Sequence, residues 1–302
     1  TLFLLFSGCV KNNPDPAWLE INTFTLVNNP SGNVAGELTQ NFTDAWVYVD
    51  SKLMGVFELP VKIPVLMEGV KKVQIFPTIR NNGISATKKI YPYTSAYEVE
   101  VDLVKNATIT LNPVTQYFSN VKFTILDFED ANLGFEDSPS SLANITASND
   151  PSVIQSFNGN SFGRVTLTEA MNTWISATNL DENLPRNGAE VYLEMDYYTT
   201  NDFVTGVLGI NSDGVAENPN VQINAQDEST VQWKKIYIEL KTIVSGSTSA
   251  DYFEHSFEAI LGEGKTSTQI NIDNIKVDDT NNIEIIYIKS IMRNYKFNII
   301  EK

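Results

Sequence analysis

The sequence contains one cysteine, Cys9, and one histidine, His255, among 302 residues. A single cysteine excludes a disulfide bond within the chain. Because zinc sites in proteins are built from several Cys and His ligands, the scarcity of both residues also argues against a His-rich zinc site. A Ser-His-Asp arrangement would have to use His255, which we interpret as an ordinary strand residue.

Long hydrophobic runs are also missing. The apolar run Leu2 to Phe6 is far shorter than the roughly 20 residues that span a bilayer. It ends in Ser7 and Gly8, and small residues of this kind precede signal-peptide cleavage sites. The stretch LFSGC resembles a bacterial lipobox, which implies that Cys9 receives a diacylglyceryl group, becomes the mature N-terminus and anchors the protein to a membrane without spanning it. The alternative interpretation is a buried apolar N-terminal strand with a chance cysteine.

Positive charge is scarce, since 21 Lys and Arg face 37 Asp and Glu, for a formal charge of −16. Proteins that bind nucleic acids present clustered Lys and Arg to the phosphates, so we expect no nucleic-acid partner. The excess of acid is not uniform. Residues 281–302 carry Lys289, Arg293, Lys296 and Lys302 against Glu284 and Glu301, a net charge of +2.

The residues that are abundant indicate an all-β protein. The chain is 42% hydrophobic and 19% charged, which is enough apolar material for a buried core in a chain of this length. Short runs rich in Val, Ile, Thr, Tyr and Phe alternate with turn-forming Asn, Gly, Pro and Asp. Alternation is clearest in WVYVD and YEVEVDL, where every second residue is apolar.

The first half of the chain resembles the PEGA-type and related immunoglobulin-like modules of bacterial surface proteins. The resemblance rests on DAWVYVDSKLMGVFELPVKIPVL followed by EGVKKVQIFPTI. The matching residues are Val47, Val49, Asp50, Gly55, Pro60, Gly69, Val73 and Ile75. It implies a β-sandwich module over residues 21–115, reached through a proline-containing tether at residues 9–20 that follows a signal-peptide remnant at residues 1–8.

The second half resembles the jelly-roll sandwich of carbohydrate-binding modules and galactose-binding-like domains. The resemblance rests on the order of several landmarks, which are DFED, NSFGRVTL, NGAEVYLEMDYYT, VQWKKIYIEL, FEAILGEG and QINIDNIKV. It implies a jelly roll over residues 120–280. Residues 281–302 then form a basic C-terminal extension, either a segment that docks on the sandwich or on a partner, or a poorly integrated addition.

Candidate ligand-binding residues are the aromatic ones, because aromatic faces pack against the apolar faces of sugars. We predict Trp174, Tyr197, Tyr198 and Phe203 as contacts. Tyr197 and Tyr198 are adjacent in one strand, so one of the two should point outward. Trp233 is assigned to core packing by its landmark position.

Carboxylates offer two further possibilities. In carbohydrate-binding jelly rolls a structural calcium ion often joins the first and last strands, and the matching positions here are Glu129, Asp130 and Asp273. Calcium prefers such oxygen ligands, although solvated acids at strand ends are the alternative interpretation. Paired acids in DFED, GFED and LDEN would also suit a glycoside hydrolase, but such pairs arise freely in an acidic β-protein.

These observations predict a lipid-anchored, non-catalytic protein of the cell envelope, with an immunoglobulin-like or PEGA-like module followed by a jelly roll. It resembles surface lipoproteins of the Bacteroidetes type, which implies the outer membrane as its location. We expect the jelly roll to bind a glycan or another surface ligand, with no cofactor other than the calcium ion. The alternatives are a protein-interaction part of an envelope assembly, which would carry an aromatic-poor sandwich face, and a carboxylate hydrolase.

Overall fold

The computed structural model describes residues 15–153 and 159–279. In these residues the chain folds almost entirely into β-strands, together with one helix, α1 (Lys241–Gly246). No helix in the described ranges is long and apolar enough to cross a membrane. The all-β class predicted from composition and alternation is confirmed, and so is the β-sandwich architecture that the family resemblances imply.

The N-terminal unit, taken as residues 15–121, contains ten short strands. They are β1 (Ala17–Ile21), β2 (Thr25–Leu26), β3 (Asp44–Val49), β4 (Lys52–Glu58), β5 (Val61–Val65), β6 (Gly69–Arg80), β7 (Lys88–Ile90), β8 (Tyr97–Leu103), β9 (Thr108–Leu111) and β10 (Val114–Thr115). The larger sheet has the order β4-β3-β6-β7, with β8 also paired to β6, and it faces the sheet β5-β1-β9 and the pair β10-β2. The first strand begins at Ala17, inside the predicted tether.

Local sequence explains the central hairpin of this unit. Ala45, Val47 and Val49 are buried on one face of β3, as the period of two requires. Asp50 and Ser51 then take positive φ angles of 47° and 64° and join β3 to β4. Two successive residues with positive φ give the twist that suits a tight hairpin, which explains the Asp that ends the V-x-V-D pattern.

The C-terminal sandwich, residues 122–279, contains eleven strands in the described ranges. They are β11 (Lys122–Leu126), β12 (Phe135–Asp137), β13 (Thr146–Ser148), β14 (Phe162–Thr168), β15 (Thr173–Thr178), β16 (Val191–Thr199), β17 (Phe203–Asn211), β18 (Gly214–Ile223), β19 (Lys234–Glu239), β20 (Tyr252–Ile260) and β21 (Ser267–Asp279). One sheet has the order β13-β14-β21-β16-β19, with β11 also on β21, and the other has the order β12-β15-β20-β17-β18. The sandwich core lies between these two sheets.

The two parts meet through the outer face of the β16, β19 and β21 strands. Tyr192 of β16 and Tyr237 of β19 are buried with the apolar cluster of the N-terminal unit, not with the sandwich core. The next residue in each strand, Leu193 in β16 and Ile238 in β19, points to the inner face. These two residues pair with each other and belong to the sandwich core. The β19 strand is therefore an edge strand that touches both parts.

Candidate functional site

The junction between the two parts is polar and deeply buried. Tyr91 and Tyr117 of the N-terminal unit place their hydroxyls 2.6 Å and 2.8 Å from Oε1 of Glu194 in β16. Tyr91 also donates to Oδ2 of Asp278 in β21 at 2.5 Å. On the other side of Glu194, Nζ of Lys235 lies 2.9 Å from Oε2. Carboxylates that would be costly to bury alone therefore have partners across the junction.

The titration behaviour of this cluster follows from its geometry. Burial alone would raise the pKa of Glu194, but Lys235 and Lys276 outweigh it and lower that pKa to about 2. Burial and the neighbouring Glu194 charge raise the pKa of Asp278 well above its ordinary value. Burial also raises the pKa of Tyr91 and Tyr117. Glu194 is thus the ionised acid and Asp278 the neutral one, while the tyrosines remain donors.

Two adjoining cavities lie along β19, and together we call them the edge cleft; Lys235 of the junction lines the smaller one. The larger cavity has a volume of about 660 Å³ and the smaller about 530 Å³, and Gln232 and Lys234 line both. The larger one opens between β18 and β19, which are edge strands of the two sandwich sheets, beneath the loop that connects them. A turn of the N-terminal unit, Asn82 to Ile84, closes one side.

The larger cavity combines an apolar floor with amide walls. Tyr197, Ile223 and Ile236 supply apolar surface, and each packs against the sandwich core. The walls carry several side-chain amides, which are those of Asn82, Gln222, Asn224, Gln226 and Gln232. Small-molecule sites are typically concave, in this size range, and built from apolar surface with a few oriented polar groups.

Hydrogen bonds within the walls hold some of these amides and leave others available. Nε2 of Gln226 donates to the carbonyl oxygen of Gln232 at 2.9 Å, and Oδ1 of Asn82 accepts from the Glu239 N–H at 2.8 Å. Within residues 15–153 and 159–279, neither the side-chain amide of Gln232 nor Nδ2 of Asn82 has a hydrogen-bond partner. These groups can donate to or accept from a ligand in the cleft.

The structure separates the four aromatic residues predicted as ligand contacts. Tyr197 lines the edge cleft, and burial raises the pKa of its hydroxyl. Tyr198 lies on the other face of β16, where its ring is 5.9 Å from that of Trp233. Trp233 is half-buried, donates from Nε1 to the carbonyl oxygen of Val153 and lines the smaller cavity. Only Tyr197 among the four predicted contacts therefore reaches this cleft.

Trp174 and Phe203 do not form an exposed platform. Trp174 is 0% exposed and Phe203 is 1% exposed, and their rings lie 6.5 Å apart inside the sandwich. Trp174 also stacks on Phe257 with a ring separation of 6.0 Å. Trp174 is buried because β15 turns Trp174, Ser176 and Thr178 inward and leaves Ile175 and Ala177 outside. Both Trp174 and Phe203 border a groove of about 320 Å³ on the sandwich, and their role as ligand contacts stays a prediction.

The residues predicted to hold calcium are not gathered into one ligand set. Glu129 is exposed and accepts from the backbone N–H groups of Asn160 and Ser161, at 2.5 Å and 2.9 Å. Asp130 is exposed, whereas Asp273 is buried. The described parts of the chain contain no cluster of three or more Asp, Glu, His or Cys residues arranged to hold a metal ion. Calcium binding stays a prediction.

The single histidine lies in the sandwich interior. Nε2 of His255 is 2.6 Å from Oε2 of Glu182, and both residues are buried. Residues 159–163 read GNSFG and match the letters of the G-x-S-x-G elbow of hydrolases, a feature that our sequence reasoning missed. Here that stretch enters strand β14 instead of a strand-to-helix turn, and the elbow depends on that turn to expose its serine. The motif therefore does not indicate a nucleophile.

Two predicted features lie outside the described residues. Cys9, the predicted lipidation site, precedes residue 15, and the basic extension at residues 281–302 follows residue 279. Both stay predictions from the sequence.

No protein-family model and no curated protein matches this chain. Solved structures that resemble it are β-sandwich adhesin and carbohydrate-binding domains. The K1 cleaved adhesin domain of Lys-gingipain from Porphyromonas gingivalis W83 is 12% identical, with 53% of this chain and 99% of that chain covered and a TM-score of 0.37. The family 30 carbohydrate-binding module of a Clostridium thermocellum cellulosomal cellulase is 16% identical, with coverages of 53% and 99% and a TM-score of 0.38. A chain from work on the promiscuous specificity of β-sandwich carbohydrate-binding modules is 14% identical, with coverages of 78% and 84% and a TM-score of 0.37.

Proposed function

We propose that this protein is a non-catalytic glycan-binding protein of the cell envelope, anchored by a lipid on Cys9, and that the glycan binds in the edge cleft. The observation that carries the proposal is the combination of the Tyr197 floor with amide walls in a cavity of about 660 Å³. Saccharides present both apolar C–H faces and many hydroxyl groups. An aromatic edge and neutral amides satisfy both without requiring a charged ligand.

A binding role fits the cleft better than hydrolysis. Glycoside hydrolysis uses two carboxyl groups about 5 to 9.5 Å apart on either side of the scissile bond. The larger cavity is lined by one acid, Asp227, whose carboxylate accepts from the N–H and hydroxyl of Ser229. The smaller cavity is lined by Asp196, which is buried and accepts from the Thr39 hydroxyl at 2.6 Å. The buried acids Glu194 and Asp278 are enclosed by tyrosines and lysines at the junction.

The test of glycan binding is a screen of the full chain against a glycan array, followed by calorimetry with the best ligand. We expect Gln232→Ala to weaken binding by about tenfold, since it removes an amide worth about 1 to 1.5 kcal/mol of hydrogen bonding. Tyr252→Ala, on a different surface of the sandwich, is the control and should bind as the wild type does. Absence of any glycan ligand, or equal affinity in the Gln232 variant, would contradict the proposal.

Lipid anchoring has its own test. The full-length protein should partition into the membrane fraction, and mass spectrometry of its N-terminal peptide should show an acylated Cys9. Cys9→Ser should leave the protein in the soluble fraction. A membrane-bound Cys9→Ser protein without acyl mass would overturn the anchor while leaving the glycan site untouched.

A second candidate is an interaction part of an envelope assembly. The observation in its favour is the burial of Trp174 and Phe203, which leaves Tyr252 as the aromatic residue on the outer row of the five-stranded sheet in the described chain. The anchored protein can be affinity-purified from the membrane fraction and its bound components identified. Recovery of a stoichiometric envelope protein, with no bound glycan, would favour this role.

A further inference from the structure

The outer face of the sheet β12-β15-β20-β17-β18, which we call the open face, carries a mixture of apolar and acidic side chains. Ile175, Val204, Leu208 and Ile210 are half-buried on this face, and Tyr252 lies beside Ile210 on the neighbouring strand. At the opposite end of β20 the side chain of Ile260 is 72% exposed. A groove of about 320 Å³ runs over this end of the face, between Ile175 and Gln222. Contiguous exposed apolar surface of this kind marks an interaction site.

Charge on the open face has one sign. The five strands contain five acidic residues and no Lys or Arg. Register places four of the acids on the outer rows, which are Glu136, Glu217, Glu254 and Glu258. Burial, together with the charges of Asp181 and Glu136, raises the pKa of Glu254. A surface on which apolar and acidic side chains are interspersed complements a partner that is both apolar and basic.

We propose that the partner is the chain's own C-terminal segment, residues 281–302, which docks on the open face. This segment has the composition that the face requires. It contains four basic residues and two acidic ones, in a chain that is otherwise strongly acidic. It also contains apolar residues, which include Ile285, Ile288 and Phe297, so that one segment supplies both kinds of contact.

The chain leaves the described structure at the end of β21, in the sheet opposite the open face. The last described residue, Asp279, pairs with Val191 and Lys122, and the charge of Glu182 contributes to raising its pKa, so the two acids are neighbours. Glu182 in turn bridges to Phe253 in β20. Asp279 therefore lies in the sheet opposite the open face, at the end of the sandwich where Glu182 pairs with Phe253.

Length does not limit the docking. Twenty-two residues span up to roughly 70 Å when extended. Five strands spaced about 4.8 Å apart make a face roughly 20 Å wide, and the two sheets are separated by about 10 Å. The segment can pass around the sandwich edge and cross the open face. The docking proposal does not rest on glycan binding, although the groove on the open face and the edge cleft share Gln222.

Zero-length carbodiimide cross-linking of the full chain, followed by peptide mass spectrometry, tests the proposal. We expect the amines of Lys289 and Lys296 to join to Glu254 or Glu258 within monomers. Glu254→Gln with Glu258→Gln should reduce those cross-linked peptides at least tenfold, while the Lys71–Asp50 cross-link, from an ion pair of 2.9 Å, serves as the internal control. Cross-links from the segment only to acids elsewhere in the chain would overturn the proposal. Cross-links to the open face that occur only in dimers would also overturn it and would mean that the face binds another copy of the chain.

A charge-swap series in the full chain gives an independent readout. Chymotrypsin cleavage after Tyr287, Tyr295 and Phe297 should be slow in the wild type and at least tenfold faster in Glu254→Lys with Glu258→Lys. Adding Lys289→Glu and Arg293→Glu to that variant should restore slow cleavage. Equal cleavage rates in all three proteins would overturn the proposal. Cleavage within residues 15–279 would reveal misfolding of a variant. The variant Glu254→Gln with Glu258→Gln keeps the side-chain size and is measured alongside as a milder change.

Discussion

The hydroxyl of Tyr91 lies 2.6 Å from Oε1 of Glu194, and this contact joins the N-terminal unit to the C-terminal sandwich. Both residues are fully buried, and Glu194 is ionised. Hydrogen bonds to a buried charge are worth more than neutral ones, since the alternative is an incompletely solvated ion. The junction is therefore held by directional polar contacts as well as by the packing of five tyrosine rings, those of Tyr91, Tyr93, Tyr117, Tyr192 and Tyr237.

Tyr91→Phe should lower the free energy of unfolding by about 1 to 3 kcal/mol. The substitution keeps the ring but removes the hydroxyl shared by Glu194 and Asp278. Urea denaturation monitored by circular dichroism measures the change. Tyr252→Phe, on the open face, is the matched control and should be close to wild type. Equal midpoints for the two variants would show that the hydroxyl contributes nothing.

Lys235→Met should be more damaging than Tyr91→Phe. Lys235 is 6% exposed and neutralises Glu194 at 2.9 Å, so its removal leaves a buried carboxylate with less compensation, at a cost of about 3 to 5 kcal/mol. Lys105→Met, which removes an exposed pair with Glu68, should leave stability nearly unchanged. Adding Glu194→Gln to Lys235→Met should recover part of the loss. No recovery in the double variant would argue against a charge effect.

Asp273→Asn should change how stability depends on pH. Burial raises the pKa of Asp273 to about 8, and the nearby acids Asp196, Asp127 and Glu129 add to this effect. Between pH 4 and 8 the folded state then holds a proton that the unfolded state has released. Wild-type stability should therefore fall as pH rises through this window, with a slope of up to about 1.4 kcal/mol per pH unit from this group.

The Asn side chain stays neutral, so Asp273→Asn should lack that contribution and gain relative stability at pH 8 over pH 5. Denaturant midpoints of both proteins across this range measure the difference. Asp130→Asn, an exposed acid in the same region, controls for general charge. Parallel curves for wild type and Asp273→Asn would contradict the assignment of a neutral Asp273.

Trp174→Ala should destabilise the sandwich by about 3 to 5 kcal/mol, as expected for the loss of a large buried ring. The milder Trp174→Phe variant should fold and bind any glycan ligand with wild-type affinity, because the indole lies in the core and away from the edge cleft. Calorimetry of Trp174→Phe beside Gln232→Ala separates the two roles. A selective loss of affinity in Trp174→Phe would return Trp174 to the list of ligand contacts.

The strands could be predicted from alternation, but alternation did not always show which row of side chains faces the core. In β15 the inward row is Trp174, Ser176 and Thr178, while the outward row includes Ile175 and Ala177. Both rows contain apolar residues, so the period of two does not say which one is buried. The sequence therefore does not show that Trp174 belongs to the buried row.

The edge cleft could not be predicted from the sequence, for a different reason. Its walls come from Asn82 in one part of the chain and from Gln222 to Gln232 in the other, and no local pattern connects these segments. The same holds for Glu194 and Lys235, which alternation assigns to an outer, solvated row. They are buried because another part of the protein covers them, and coverage of that kind depends on long-range packing.

The hydroxyls of Tyr91, Tyr93 and Tyr117 reach carboxyl and carbonyl groups of the sandwich, among them Glu194 and the backbone of Glu190. Modular proteins commonly evolve by shuffling domains between genes, and such shuffling tolerates only neighbours that make few demands on each other. A hybrid in which this sandwich followed an unrelated module would lack those hydroxyls and would bury its carboxylates unpaired or expose them to water. The two halves of this chain are therefore expected to be inherited together, as a matched pair.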